Sequence, residues 1–194
     1  MKPCLPNQLR LGSGEWKEIK TDNARVISIP EELDQPEFYQ VLAKKQLTKS
    51  IAHPPENGRV EYEYPDNLDL ITFTGLFNSD NSSGNFQDFA AALQLLEEYL
   101  HTVASKTGFL PQPLDMRGLA IDIQHQSIEI LPPYTIAQAP EQSHESIVKR
   151  LISEGVEALR REATDDGEIG VLSEALATLR KKMGGTVIRI GGGQ

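Results

Sequence analysis

The stretch from Leu9 to Lys20, "LRLGSGEWKEIK", decides how this chain is read. Gly12 and Gly14 flank a serine, and an aromatic residue, Trp16, comes next. Glycine accepts backbone conformations closed to other residues, so such a stretch can close a hairpin or fold over phosphates. The segment "EWKEIK" reads as a short strand. Only the residues farther along the chain can separate a phosphate clamp from an ordinary hairpin.

Working outward, "NARVISIP" reads as a second strand after a turn at "KTDN". Pro30 ends it, because proline has no N–H for a ladder. The segment "DQPEFYQVLAKKQLTKSI" reads as a helix. Asp34 and Glu37 have capping-box spacing, Pro36 falls in the first turn, and Phe38, Val41, Leu42 and Leu47 supply an apolar face. "HPPENG" breaks the chain. "RVEYEYP" alternates like a strand, with Val60, Tyr62 and Tyr64 on one side, and "NLDLITFTGLF" reads as a more buried strand.

"NSDNSSGN" is polar and offers nothing to bury. It sets the expected boundary: a small β-rich lobe over 9–77, a linker over 78–85, and a mainly helical lobe over 86–190. The second part opens with "FQDFAAALQLLEEYLHTVASK", whose Phe86, Phe89, Leu93, Leu96, Leu100 and Val103 keep a helical period, with Gly108 to close it. "GLAIDI" and "SIEILPPY" read as two strands around "QHQ". Ser146–Ala163 and Glu168–Met183 read as helices, and "TVIRI" as a last strand. The expected fold class is α+β.

Bulk properties narrow the function. The chain has 194 residues, enough for one medium domain, and 39% of them are hydrophobic, which suffices for a core. A net charge of −9 opposes binding to a phosphate backbone, so no nucleic-acid partner is expected. The short basic groups Lys44–Lys45, Arg160–Arg161 and Arg180–Lys182 read as solvated helix faces. The single cysteine, Cys4, excludes an internal disulfide and fits a reducing compartment. No apolar run is long enough to span a membrane, and the N-terminus lacks the apolar core of a signal peptide. The expectation is a soluble, cytoplasmic protein without a membrane partner.

The order β-β-α-β-β, polar link, long helix, β-β, then helices resembles the protein-kinase-like fold. In that family a strand leads into "LGxGxFGxV", whose backbone covers ATP phosphates. "LGSGEWKEI" is similar: it supplies Gly12, Gly14, Trp16 and Ile19, with Lys17 in place of the third glycine. The resemblance implies nucleotide-binding candidates at Gly12, Gly14 and Lys17. It places Asp115, in "PLDMRG", where the family has its catalytic aspartate.

The rest of the family's machinery is replaced. Ser28 stands where a lysine would hold the α- and β-phosphates. The helix after it has no glutamate beyond Glu37 to pair with such a lysine. Ala120 stands in the metal-binding asparagine place, and Pro132-Pro133-Tyr134 replaces Asp-Phe-Gly. Asp122 and Glu129 lie nearby, but alternation alone does not say which way they face. Lys17 or Lys20 could stand in for the missing lysine from the neighbouring strand.

Other residues point away from catalysis. None of His53, His101, His125 and His144 lies four residues from another histidine or beside a cysteine, so no metal site is expected. No serine sits in a nucleophile elbow. Asp165-Asp166 reads as a helix cap, and "RREAT", Arg160 to Thr164, has the form of a basic phosphorylation site. The resemblance therefore implies a degenerate, pseudokinase-like scaffold or regulator that binds another protein and needs no cofactor. One alternative is an atypical small kinase using ATP, Mg²⁺, Lys17 or Lys20, and Asp115. Another is an unrelated α+β adaptor or assembly subunit that docks a partner on the apolar stripes of its last two helices.

Overall fold

The computed structural model describes residues 10–11, 14–15, 17–20, 24–65, 67–68, 70–73, 76, 86–122, 124–133, 136–139 and 144–184. Among these residues the fold is α+β, with small antiparallel sheets and four α-helices. In the opening stretch, β1 (Arg10–Leu11) pairs with β2 (Gly14–Glu15), and Leu11 lies opposite Gly14.

The next layer is a four-stranded sheet, built from β3 (Lys17–Lys20), β4 (Ala24–Pro30), β5 (Ile51–Ala52) and β6 (Arg59–Pro65). Its order is β3-β4-β6-β5, antiparallel throughout. Val60, Tyr62 and Tyr64 are buried along β6, as alternation predicts, while Glu61 and Glu63 are half-exposed. Asn57 and Gly58 both take positive φ, 52° and 71°. That is the geometry of a tight primed hairpin turn, which Asn-Gly adopts readily. It closes on a mutual pair of backbone bonds between Glu56 and Arg59, at 2.9 and 3.0 Å.

Helix α1 (Pro36–Lys44) buries Phe38 and Leu42 in the apolar core, and its Tyr39 meets Tyr62 of β6 edge to face. The expected capping box does not form. The cap position is Gln35, with no side-chain cap bond, and Asp34 instead accepts the Tyr62 hydroxyl at 2.5 Å. A partner 28 residues away in the chain has taken the carboxylate that local spacing assigned to the helix. The helix is also shorter than predicted. Gln46 at φ 56° turns the chain, Leu47 N–H returns to Leu42 O at 2.8 Å, and the segment 47–50 leaves the helix.

Strand β7 (Leu70–Thr72) follows and is much shorter than "NLDLITFTGLF" suggests. Helix α2 (Phe86–Thr107) buries Phe89, Leu93, Leu96, Leu100 and Val103. Gly108 closes it at φ 74°, with its N–H on Ala104 O at 2.9 Å. Only a residue free of Cβ takes that conformation without strain. Two strands that local pattern does not reveal, β8 (Phe109–Pro111) and β11 (Ile136–Gln138), pair with each other. The predicted hairpin around Gln124–Gln126 forms as β9 (Leu119–Asp122) and β10 (Ser127–Ile130), and β9 also pairs with β7.

Helices α3 (His144–Glu162) and α4 (Asp166–Gly184) form a helical hairpin. Asp165 caps the second one, taking the N–H groups of Gly167 and Glu168 at 2.9 and 3.1 Å. Their apolar stripes face inward: Val148, Leu151, Ile152, Leu172, Leu176 and Leu179 are all buried. Each such leucine contributes about 2 kcal/mol by leaving water. One apolar cluster runs from Ile27 on β4 to Leu179 on α4. The predicted linker 78–85, the "TVIRI" strand and Cys4 lie outside the described residues.

Candidate functional site

Asp115 is held from several sides. It precedes a short 3-10 turn, Met116–Gly118, and its side chain caps it. Oδ1 accepts the Arg117 backbone N–H at 3.0 Å and Arg117 Nε at 3.0 Å, and Oδ2 accepts Nη2 at 3.1 Å. The planar guanidinium matches a carboxylate in this forked geometry. Its remaining nitrogen, Nη1, reaches Glu162 Oε2 on α3 at 3.1 Å. The bond to Asp115 raises the Arg117 pKa above its ordinary value, outweighing the effect of burial. Glycine is required at Gly155, on the facing helix, by close approach: a Cβ there would stand 2.9 Å from Met116 Cγ and 3.0 Å from Leu114 O.

Ser28 is held just as firmly. Ser28 is 2% exposed on β4, where Lys17 of β3 and Glu61 of β6 are its register partners. Arg59 donates from Nε to Ser28 Oγ at 2.8 Å and from Nη2 to Ser28 O at 2.7 Å. A guanidinium from β6 thus holds both the hydroxyl and the carbonyl of Ser28. Nearby, buried Arg25 donates to Leu70 O at 3.3 Å and so links the two sheets. Gly14 and Lys17 are strand residues, and Gly12 lies outside the described residues.

Asp122 and Glu129, whose orientation the sequence left open, face the loop between α1 and β5. In the β9–β10 register Asp122 lies opposite Ser127, so Glu129 is its diagonal neighbour on one sheet face. Lys49 Nζ lies 2.8 Å from Asp122 Oδ2 and 3.2 Å from Ser127 Oγ. The backbone N–H of Lys49 donates to Glu129 Oε1 at 3.1 Å, and Thr48 Oγ1 donates to Oε2 at 3.0 Å. His125 Nδ1 lies 2.5 Å from Asp122 Oδ2.

One lysine serves two buried carboxylates. Burial pushes the Glu129 carboxyl up to about 7, against the opposing pull of Thr48 and Lys49. Burial also acts to raise Asp122, but the hydrogen bonds from Lys49 and His125 outweigh it and hold that group below its ordinary value. The signal available in the sequence was an Asp and a Glu on adjacent strands of a hairpin. Their partners, Thr48 and Lys49, fell within what read as a helix end.

Among the described residues, no three or more His, Cys, Asp or Glu side chains are placed to hold an ion. Pro132 is buried and Pro133 half-buried after β10, and Ala120 is buried within β9. Neither place offers the oxygen ligands that Mg²⁺ takes. His101 lies 4.0 Å from Glu97, one helical turn away. Among the described residues no helix is long and apolar enough to cross a membrane. No protein-family model matches the chain, and no curated protein matches it.

Proposed function

We propose that this chain is a non-catalytic protein of two-lobed, protein-kinase-like outline, which works by binding a partner protein as a scaffold or regulator. The outline is supported by the order of elements: an antiparallel sheet with one helix, then a long helix, a β-hairpin and a helical pair. Fold alone does not carry function, so the site has to.

The observation that carries the reading is the fork between Asp115 and Arg117. A catalytic aspartate accepts a proton from a bound hydroxyl, beside a phosphoryl group held by metal. Here both carboxylate oxygens bond a guanidinium that a second carboxylate, Glu162, also holds. The lysine place is likewise filled by Ser28 under Arg59. Losing both ends of a charged pair together avoids stranding one buried charge. Side chains that elsewhere would handle phosphate here join one element to another.

Thermal unfolding with ATP and Mg²⁺ tests this, because a ligand of the native state raises stability by mass action. The expected result is an unchanged Tm at nucleotide concentrations of about 1 mM. A rise in Tm that Asp115→Ala or Lys17→Ala abolishes would replace this reading with the atypical kinase.

A further inference from the structure

The geometry points to the groove between α1 and β5 as a docking site for a proline-rich segment of a partner protein that carries an arginine or lysine. This rests on the protein-binding reading above and names the chemistry of the partner.

The groove has a volume of about 470 Å³. Its lining includes Pro36, Tyr39, Ala52, Pro54, Pro55 and Val60. Its floor is preformed. Tyr39 and Tyr62 meet edge to face, with ring centroids 5.0 Å apart at 72°. Both hydroxyls are engaged internally: Tyr62 donates to Asp34, and Tyr39 donates to Ser50 O at 2.9 Å while accepting the Ala52 N–H at 2.9 Å. The rings are therefore fixed before anything binds, which lowers the ordering cost of association.

The same Tyr39 hydroxyl selects the mode of recognition. Strand β5 is the edge of its sheet. An edge ordinarily invites an added strand, because its outward N–H and C=O groups lack a ladder partner. Here one hydroxyl satisfies both the outward N–H of Ala52 and the carbonyl of Ser50. Strand addition is closed off. An extended segment can still enter by its side chains, and a polyproline II helix needs no ladder. Tyr39 is the groove's half-buried aromatic, backed by Tyr62 at 1% exposed, and a fixed ring of this kind takes such a helix because the ligand arrives already ordered.

Charge sets the flanking residue. Glu31 and Asp34 stand at one end of the groove. Beyond the Pro54–Pro55 ridge a second hollow of about 530 Å³ holds Glu56 and Glu61. The other polar groups there include His53, 2.8 Å from Glu63, and Arg59, which is bonded to Ser28. Carboxylates prevail on both sides of the ridge, and the chain as a whole carries −9. A basic residue beside the prolines complements that field and speeds encounter.

Fluorescence anisotropy with three labelled synthetic peptides tests the assignment on the full chain. One peptide carries Pro-x-x-Pro repeats with a terminal arginine, one has glutamate in place of the arginine, and one has the same positive charge without proline. The expected result is binding of the first alone, weakened on the order of tenfold by Glu31→Lys and by the groove-filling Gln40→Trp. Both substitutions are at exposed positions, so a matching thermal unfolding profile shows that the variants fold. Absence of binding, equal binding of the proline-free peptide, or binding unaffected by both variants would overturn it. A Tm rise with ATP and Mg²⁺ would sink the non-catalytic reading while leaving a positive peptide result in place. A chain that binds neither nucleotide nor peptide would sink the groove alone.

Discussion

Lys49 Nζ and Asp122 Oδ2 stand 2.8 Å apart, although 73 residues separate them in the chain. Asp122 is fully buried and Lys49 partly exposed. Through this pair the loop after α1 is fastened to the β9–β10 hairpin. Lys49→Met should lower stability by roughly 2 kcal/mol: less than a fully stranded buried charge costs, because His125 still bonds Asp122. Urea unfolding of Lys49→Met, Asp122→Asn and the double variant measures the coupling. If the two losses add, with no interaction between them, the pair does not fasten the two elements.

The partner carboxylate makes stability depend on pH. Glu129 is raised from 4.5 to about 7 by burial. A carboxyl that binds its proton more tightly when folded stabilises the protein below its ordinary pKa. That contribution is lost as pH rises through about 7. The interval corresponds to roughly 3 kcal/mol. Asp122 acts in the opposite sense: its lowered pKa contributes stability that disappears on acidification below the ordinary 3.8. Unfolding free energy should therefore decline from pH 5 towards pH 8, and Glu129→Gln should flatten that decline. A variant that keeps the wild-type slope would assign the dependence to another group.

Asp115 is expected to matter for stability. Asp115→Ala removes a cap and a forked ion pair, both partly exposed, and should cost about 1 to 2 kcal/mol. Arg117→Lys should not restore what Arg117→Ala loses, because an ammonium cannot fill both ends of the fork. Chemical denaturation of the three variants checks this. Equal stability of the lysine variant and the wild type would show that charge alone suffices.

Gly155 allows α3 to approach the turn that carries Asp115. Alanine usually stabilises a helix interior by 0.5 to 1 kcal/mol over glycine, on the order of one weak contact. Here its Cβ would meet Met116 Cγ at 2.9 Å and a backbone oxygen at 3.0 Å. Overpacking of this kind costs roughly 1 to 3 kcal/mol, so Gly155→Ala should be net destabilising. Thermal unfolding decides the sign, and a higher Tm would mean that the turn gives way easily.

Much of the fold was legible in local pattern. Alternation located β6, and a 3.6-residue period located α2, α3 and α4, because burial imposes those periods on any chain that forms these elements. Strands β5, β8 and β11 were not legible. At two or three residues each, they are too short to show a period. The candidate site divides in the same way. The turn role of Asp115 follows from its own neighbours, whereas Arg59 at Ser28 and Lys49 at Asp122 needed the chain to be folded.

By itself the sequence determined the α+β class and the inward faces of its helices and strands. Those are properties of residue type and spacing. The tertiary structure decided which partner each polar group took. It turned Asp34 from a helix cap into the acceptor of Tyr62, and placed Glu129 under a loop where burial outweighs its hydrogen bonds. The physical reason is that a polar group leaving water accepts whichever partner the packed core brings within reach, and sequence proximity has no claim on that choice.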